Sequence, residues 1–273
     1  MNMKSKKQKT GVQEVVKPFI RGDAADENTV RDSLKFFGTM VVIILISFIA
    51  CSSTAFGSTV LKLGLNLAVI GVQMMLYFNF GSNHGTEAVS RGEILYTKKE
   101  KNQEYSESER KLCFNPAKGF LTAALGTLLI LIPALVLAFG TTLQTTDAGT
   151  LPSWMQAYAS RSDIGNALVN YTQPEGMGTV DYLRAFIRIC IIPYVNLIGH
   201  NNKEGMLLLE RISPVIVMLP AVFYGFGYLT GKGVRTRIHT VISENDKNRI
   251  RKEKKRIMKQ NRQSRRREPE QLN

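Results

Sequence analysis

The sequence predicts an all-α membrane protein: a polytopic helical bundle of about four transmembrane helices, one amphipathic interfacial or re-entrant helix, and a basic cytoplasmic tail. The mean hydropathy of −0.07 and the 21% of charged residues would fit a soluble domain of ordinary composition. The apolar and the charged residues, however, occupy separate segments of the chain. Four apolar segments reach the length of about 20 residues that a helix needs to cross the hydrocarbon core. This segregation excludes a soluble α/β enzyme and a disordered chain.

The four predicted spans are residues 36–55, 58–80, 119–140 and 212–230. They divide the chain into a polar N-terminal segment (1–35), a transmembrane bundle (36–231) and the tail (232–273). The third span carries no charge but contains Pro133, and the fourth contains Pro220. Because proline removes a backbone N–H, both helices are expected to bend.

The distribution of Lys and Arg predicts that both termini are cytoplasmic, because positively charged flanks stay on the cytoplasmic side. There are eight Lys and Arg in residues 1–35, seven in the loop 81–118 and fifteen in the tail, but only one in residues 141–180. Four crossings place all three basic regions on one side and the segment 141–211 on the other. We therefore expect a multi-pass protein of a bacterial cell membrane.

The three cysteines, Cys51, Cys113 and Cys190, form no CxxC pair and predict no disulfide framework. The four residues that end at Cys51 are similar to a bacterial lipobox, in which this cysteine would be lipidated. The long polar segment before the first span favours a retained transmembrane helix instead.

Residues 181–198 form an apolar segment that is interrupted by charges. At 100° per residue, Asp181, Arg184 and Arg188 fall within one 60° sector of a helix. This pattern favours an amphipathic helix that lies in the membrane interface. A re-entrant or fully spanning helix whose arginines face a cavity is the alternative.

The second span has two distinct faces. Gly57, Gly64 and Gly71 recur every seven residues and form a glycine face, which predicts close packing against another helix. A second sector, here called the polar stripe, consists of Thr59, Lys62, Asn66, Gln73 and Tyr77. Polar groups in lipid are costly, so the stripe predicts either interhelical hydrogen bonds, with Lys62 reaching the interface, or a hydrophilic conduit.

The fourth span ends in a glycine-rich run. Gly227 and Gly231 form a GxxxG pair, which indicates helix packing and is a weak signal for dimerisation. Tyr224 and Tyr228 near the same end are typical of interface anchors.

The tail is the strongest compositional signal, since it contributes much of the net charge of +14. Between residues 249 and 267 it contains one Glu and eleven basic residues: Arg249, Arg251, Lys252, Lys254, Lys255, Arg256, Lys259, Arg262, Arg265, Arg266 and Arg267. Such a cluster can attract anionic lipid at the cytoplasmic face, bind RNA, DNA or a ribosome unspecifically, or contact an acidic protein surface.

The sequence contains no pattern that predicts catalysis, a metal site or a cofactor. His84, His200 and His239 lie in different segments, and there is no HExxH, GxSxG or Walker motif. We therefore expect a non-enzymatic membrane component that anchors or assembles a larger complex through its bundle and tail. A transport subunit with a conduit along the polar stripe and a ribosome- or nucleic-acid-tethering protein are the alternatives.

Overall fold

A computed structural model of the chain describes residues 14–26, 28–52, 59–143, 158, 161, 163, 178–199 and 202–267. These residues form helices and contain no strand. The helices are α1 (Thr29–Cys51), α2 (Thr59–Glu100), α3 (Glu107–Lys111), α4 (Pro116–Gly140), α5 (Thr179–Cys190), α6 (Ile192–Ile198) and α7 (Lys203–Arg267).

Four helices of the described part, α1, α2, α4 and α7, are long and apolar enough to cross a membrane. Each of these helices corresponds to one of the four predicted spans. Residues 53–55 at the end of the first predicted span and residue 58 at the start of the second lie outside the described residues. The helical fold class and the number of candidate spans are thus confirmed, and the chain has the features of a membrane protein.

The spans alternate in direction. Contacts of α4 with α1 join Gly126 to Ser33 and Phe36, and a salt bridge joins Lys118 to Asp26, so α1 and α4 run in the same direction. Helices α2 and α7 run in the opposite direction. We call the end of the bundle at which α1 and α4 begin the basic end, because α3, residues 14–26 and the continuation of α7 also lie there.

Helices α2 and α7 are a parallel pair that continues beyond the predicted spans. Contacts join Phe78 to Gly227 and, further along both helices, Glu93 to Arg235 and His239. Residues 81–100, which belong to the predicted loop 81–118, therefore continue α2 and pack against α7. Residues 232–267 of the tail likewise continue α7 as helix.

The apolar core lies where α1, α2, α4 and α7 meet. Phe36 of α1 contacts the rings of both Tyr77 and Tyr224, at centroid distances of 5.9 and 4.9 Å. The buried core of this region also contains Met40, Ile43, Ala123, Ile130, Ala134, Leu137, Ile187, Val195, Leu209, Val217 and Ala221.

Residues 14–26 form an extended strap across the basic end. The backbone N–H of Ile20 donates to the carbonyl of Gly92, and that of Gly22 donates to the carbonyl of Phe114. The donor–acceptor distance is 3.1 Å in both hydrogen bonds. Phe19 packs edge-on against the ring of Phe114 at 6.1 Å. The strap thereby joins α2 to the start of α4.

A buried salt bridge fixes the end of the strap. Lys118 Nζ lies 2.6 Å from Asp26 Oδ2, and both side chains are almost fully buried. Burial acts to raise the pKa of Asp26, but hydrogen bonds from Lys118 and Thr29 and the charge of Lys118 outweigh it, so this pKa lies below its ordinary value of 3.8. Asp26 is therefore held as a carboxylate.

Candidate functional site

The part of α7 beyond residue 240 leaves the bundle as a basic helix. Residues 246–262 are all exposed, and they include Arg249, Arg251, Lys252, Lys254, Lys255, Arg256, Lys259 and Arg262. Arg265, Arg266 and Arg267 continue the helix, but their side chains lie outside the described residues. We call residues 249–267 the basic helix.

A buried ionic cluster fixes the root of this helix to α2. Glu93 of α2 is 8% exposed and accepts a hydrogen bond from Arg235 Nε over 2.8 Å. His239 Nε2 lies 2.8 Å from the other oxygen of the same carboxylate. Thr240 follows His239 in α7, and its hydroxyl accepts a hydrogen bond from the backbone N–H of Val15 at 3.1 Å. The root is therefore tied to both α2 and the strap.

Hydrogen bonds within the bundle engage the described amide groups of the polar stripe. Asn66 is 3% exposed, and its Oδ1 accepts from Asn196 Nδ2 of α6 over 3.3 Å. Gln73 donates from Nε2 to the hydroxyl of Ser47 in α1, which in turn donates to the Ile43 carbonyl. This arrangement agrees with the interhelical interpretation of the stripe.

The remaining members of the stripe have different environments. Tyr77 is 2% exposed and belongs to the apolar core. Lys62 is exposed, as expected for a side chain that reaches the interface. The side chain of Thr59 lies outside the described residues.

The two sets of glycines differ in their packing. Gly64 and Gly71 have open space at the position of an added Cβ, so no described helix packs against this glycine face; Gly57 lies outside the described residues. An added Cβ at Gly227 or Gly231 would instead overlap the backbone of α2, at Phe78 and at Gly85. The GxxxG pair therefore packs within the chain, opposite a second pair, Gly81 and Gly85, which the sequence reasoning missed.

The charged sector of residues 181–198 lies against the protein interior. Helix α5 ends at Cys190, and α6 begins after Ile191 with Pro193 in its first turn. Arg184 is 5% exposed, whereas Tyr182, Phe186 and Ile189 on other faces are exposed. This orientation differs from that of an interfacial helix whose charges face water.

Glu210 of α7 is the partner that explains this orientation. Its carboxylate is 2% exposed and accepts from Arg184 Nε at 3.1 Å and from Arg188 Nη2 at 2.6 Å. The Thr141 hydroxyl at the end of α4 also donates to it. Asp181 accepts from Arg184 Nη1 over 2.6 Å. Two arginines and two carboxylates thus form a neutral ionic cluster that joins α4, α5 and α7.

Sequence reasoning missed the role of Glu210, which lies 22 and 26 residues from Arg188 and Arg184. An acidic residue only two positions before the predicted span 212–230 was the available signal, since a charge near the membrane needs a partner. No group of three or more His, Cys, Asp or Glu side chains in the described part of the chain has the arrangement of a metal site.

The fold and the composition define an all-helical protein with four helices that could span a membrane. Comparison with protein-family models, with curated proteins and with solved structures finds no match. The function must therefore be argued from the residues of this chain.

Proposed function

We propose that the chain is a non-enzymatic membrane anchor that assembles a larger complex by presenting its basic helix to an acidic protein partner at the cytoplasmic face. The observation that carries this proposal is the continuity of α7, which runs from Lys203 in the bundle to Arg267 without a break. The ionic cluster of Glu93, Arg235 and His239 holds the root of the basic helix at a fixed position.

The composition of the basic helix supports an acidic partner. Among residues 249–262 there are eight basic side chains and one acidic side chain, Glu253, which gives a charge of +7. The Arg249–Glu253 pair, at 3.7 Å, is the intrahelical ion pair in this stretch of the described residues. A polar helix with few intrahelical ion pairs is not expected to be stable on its own, so we infer that a partner of opposite charge stabilises it.

Two other modes of binding, insertion into the membrane interface and base stacking on nucleic acid, have few or none of the side chains that they need in the basic helix. An interfacial helix needs a broad apolar face, but residues 249–262 contain only Ile250, Ile257 and Met258 as apolar side chains. Nucleic-acid binding by base stacking needs aromatic side chains, and this stretch contains none. Both modes remain outcomes of the test.

The internal hydrogen bonds of the polar stripe favour an anchor over a conduit. Asn66 and Gln73 are engaged by Asn196 and Ser47. Because these amides have partners on neighbouring helices, their presence in the bundle does not require a water-filled path.

Site-specific photocrosslinking in membranes of the native host tests the proposal. A photoreactive amino acid replaces Met258 in the basic helix or, as the control, Phe139, which is the most exposed apolar residue of α4. We expect a defined protein adduct at Met258, resistant to nuclease and lost in the Arg251→Glu, Lys255→Glu, Arg262→Glu variant. Adducts at Met258 that contain only lipid or nucleic acid, or a protein adduct that survives the charge reversal, would contradict the proposal.

A further inference from the structure

A cavity of about 150 Å³ lies at the basic end, between all four candidate spans. Its lining residues lie close to the ends of the predicted spans. Asp32 and Lys35 precede the first span, His84 and Arg91 follow the second, and Tyr228 lies near the end of the fourth. In a bilayer, this level corresponds to the headgroup region.

The floor of the cavity consists of buried polar side chains. Lys118, Thr122 and Tyr228 are 7%, 5% and 4% exposed. They are held there by packing, since the ring of Tyr228 stacks on Phe114 at 5.2 Å and its Cβ occupies the space beside Gly119. The floor is therefore preformed.

The floor has hydrogen-bond donors that the protein does not use. The Tyr228 hydroxyl is buried without a partner of normal geometry among the described residues. Its O–H therefore has no acceptor within the described part of the protein. Lys118 donates two of its three N–H groups, one to the carboxylate of Asp26 at 2.6 Å and one to the backbone carbonyl of Lys111 at 3.1 Å.

Exposed charged residues form the rim between α1 and α2. Lys35 pairs with Asp32 at 3.1 Å, and Arg91 pairs with Glu87 at 2.6 Å. Exposed pairs of this kind contribute little to stability, so both cations can turn toward a ligand at small cost. With these two carboxylates and two cations, the rim carries no net charge.

We propose that this cavity binds a phosphate group, supplied by a phospholipid headgroup or by free phosphate. Hydroxyl, ammonium and guanidinium donors of Tyr228, Lys118 and Arg91 converge on it, and charge-assisted hydrogen bonds of these types are the stronger ones. A volume of about 150 Å³ is enough for a molecule with six heavy atoms, so the five atoms of a phosphate fit. Basic pockets between helices at this level are a known means of lipid recognition.

The test uses the full chain in nanodiscs of phosphatidylethanolamine, phosphatidylglycerol and diacylglycerol in equal amounts. Native mass spectrometry then measures which lipids stay bound after transfer to detergent. We expect the chain to retain either phospholipid in preference to diacylglycerol. Tyr228→Phe and Thr122→Val should each reduce this retention of phospholipid about tenfold, because each removes one hydroxyl donor. Calorimetric titration of the delipidated chain with sodium phosphate, against sodium chloride at equal ionic strength, tests free phosphate as the source.

A matched control is available in Tyr194 of α6. Its hydroxyl is also buried without a described partner, but it does not line the cavity. Tyr194→Phe should therefore leave lipid retention and phosphate binding unchanged. The proposal would be overturned if Tyr194→Phe and Tyr228→Phe lost the same amount of binding. It would also be overturned if the chain showed no preference for phospholipid over diacylglycerol and no heat of phosphate binding. Circular dichroism checks that each variant is folded, and Thr122→Val decides the outcome if Tyr228→Phe is not.

Discussion

Arg184 of α5 donates from its Nε to the buried carboxylate of Glu210 in α7 over 3.1 Å. This bond turns the charged side of the helix toward the protein and leaves Tyr182, Phe186 and Ile189 exposed. Removing one partner of such a pair leaves a buried charge without compensation, which costs more than the pair contributes.

We predict that Glu210→Leu lowers the free energy of unfolding by about 3–5 kcal/mol, because it removes the buried carboxylate that both arginines share. The measurement is thermal or denaturant unfolding of the purified protein in detergent. Arg188 is more exposed than Arg184, with 29% of its side chain accessible, so Arg188→Gln should cost clearly less. The double variant Glu210→Leu, Arg184→Met should recover part of the lost free energy of unfolding. If its loss equalled the sum of the losses of the two single variants, the two residues would not be directly coupled.

Asn66→Leu and Gln73→Leu separate a structural role of the polar stripe from a conduit. Each removes an interhelical hydrogen bond, so we expect each to lower the free energy of unfolding by about 1 kcal/mol. Lys62→Gln, at an exposed position of the same stripe, should have little effect. Ion and solute flux in proteoliposomes should not change in any of the three variants, and a loss of flux confined to the two Leu variants would favour the transport alternative.

The strap should loosen in acid. Because the pKa of Asp26 is lowered in the folded state, its contribution to stability is complete above the pKa of the unfolded chain and is lost as the pH falls through the folded pKa. An unperturbed Asp titrates near pH 4. When the pH is lowered below about 4, we therefore expect the unfolding temperature of the wild type to decrease. Asp26→Asn should start from a lower unfolding temperature and lose this part of the pH dependence.

Glu109 provides the control for the strap. It forms an exposed ion pair with Lys98 at 3.1 Å, so Glu109→Gln should keep the pH dependence of the wild type. If Asp26→Asn and Glu109→Gln show the same acid profile, the Lys118–Asp26 bridge is not what holds the strap.

The two sets of glycines should respond differently to the same substitution. At Gly227 an added methyl group would overlap the backbone of Phe78, so Gly227→Ala should cost about 1–3 kcal/mol in unfolding free energy. At Gly71 the methyl group meets open space, and Gly71→Ala should be neutral or stabilising, because alanine favours the helix. A larger cost at Gly71 than at Gly227 would indicate that the glycine face is occupied by something other than the described helices.

The sequence predicts those features of the fold that depend on segment length and composition. Four long apolar runs predict four spans, and the 100° arithmetic correctly places Asp181, Arg184 and Arg188 on one side of a helix. The direction in which that side faces depends on Glu210, whose distance in sequence hides the contact.

The continuation of α2 shows a second limit of sequence reasoning. Residues 81–100 have mixed composition and no apolar run, so they predict a loop. Pairing with α7 through Gly81 and Gly85 stabilises them as helix. The spacing of these two glycines was the signal for this contact. The cavity at the basic end lay beyond prediction, because four distant segments supply its lining.

With a partner bound along the basic helix, α7 would act as a lever whose root lies in the bundle. At 1.5 Å per residue, α7 extends about 40 Å beyond Thr240, so a tilt of about 10° at the root would displace its tip by about 7 Å. A tilt of the root would therefore be amplified toward Arg267, where the helix ends.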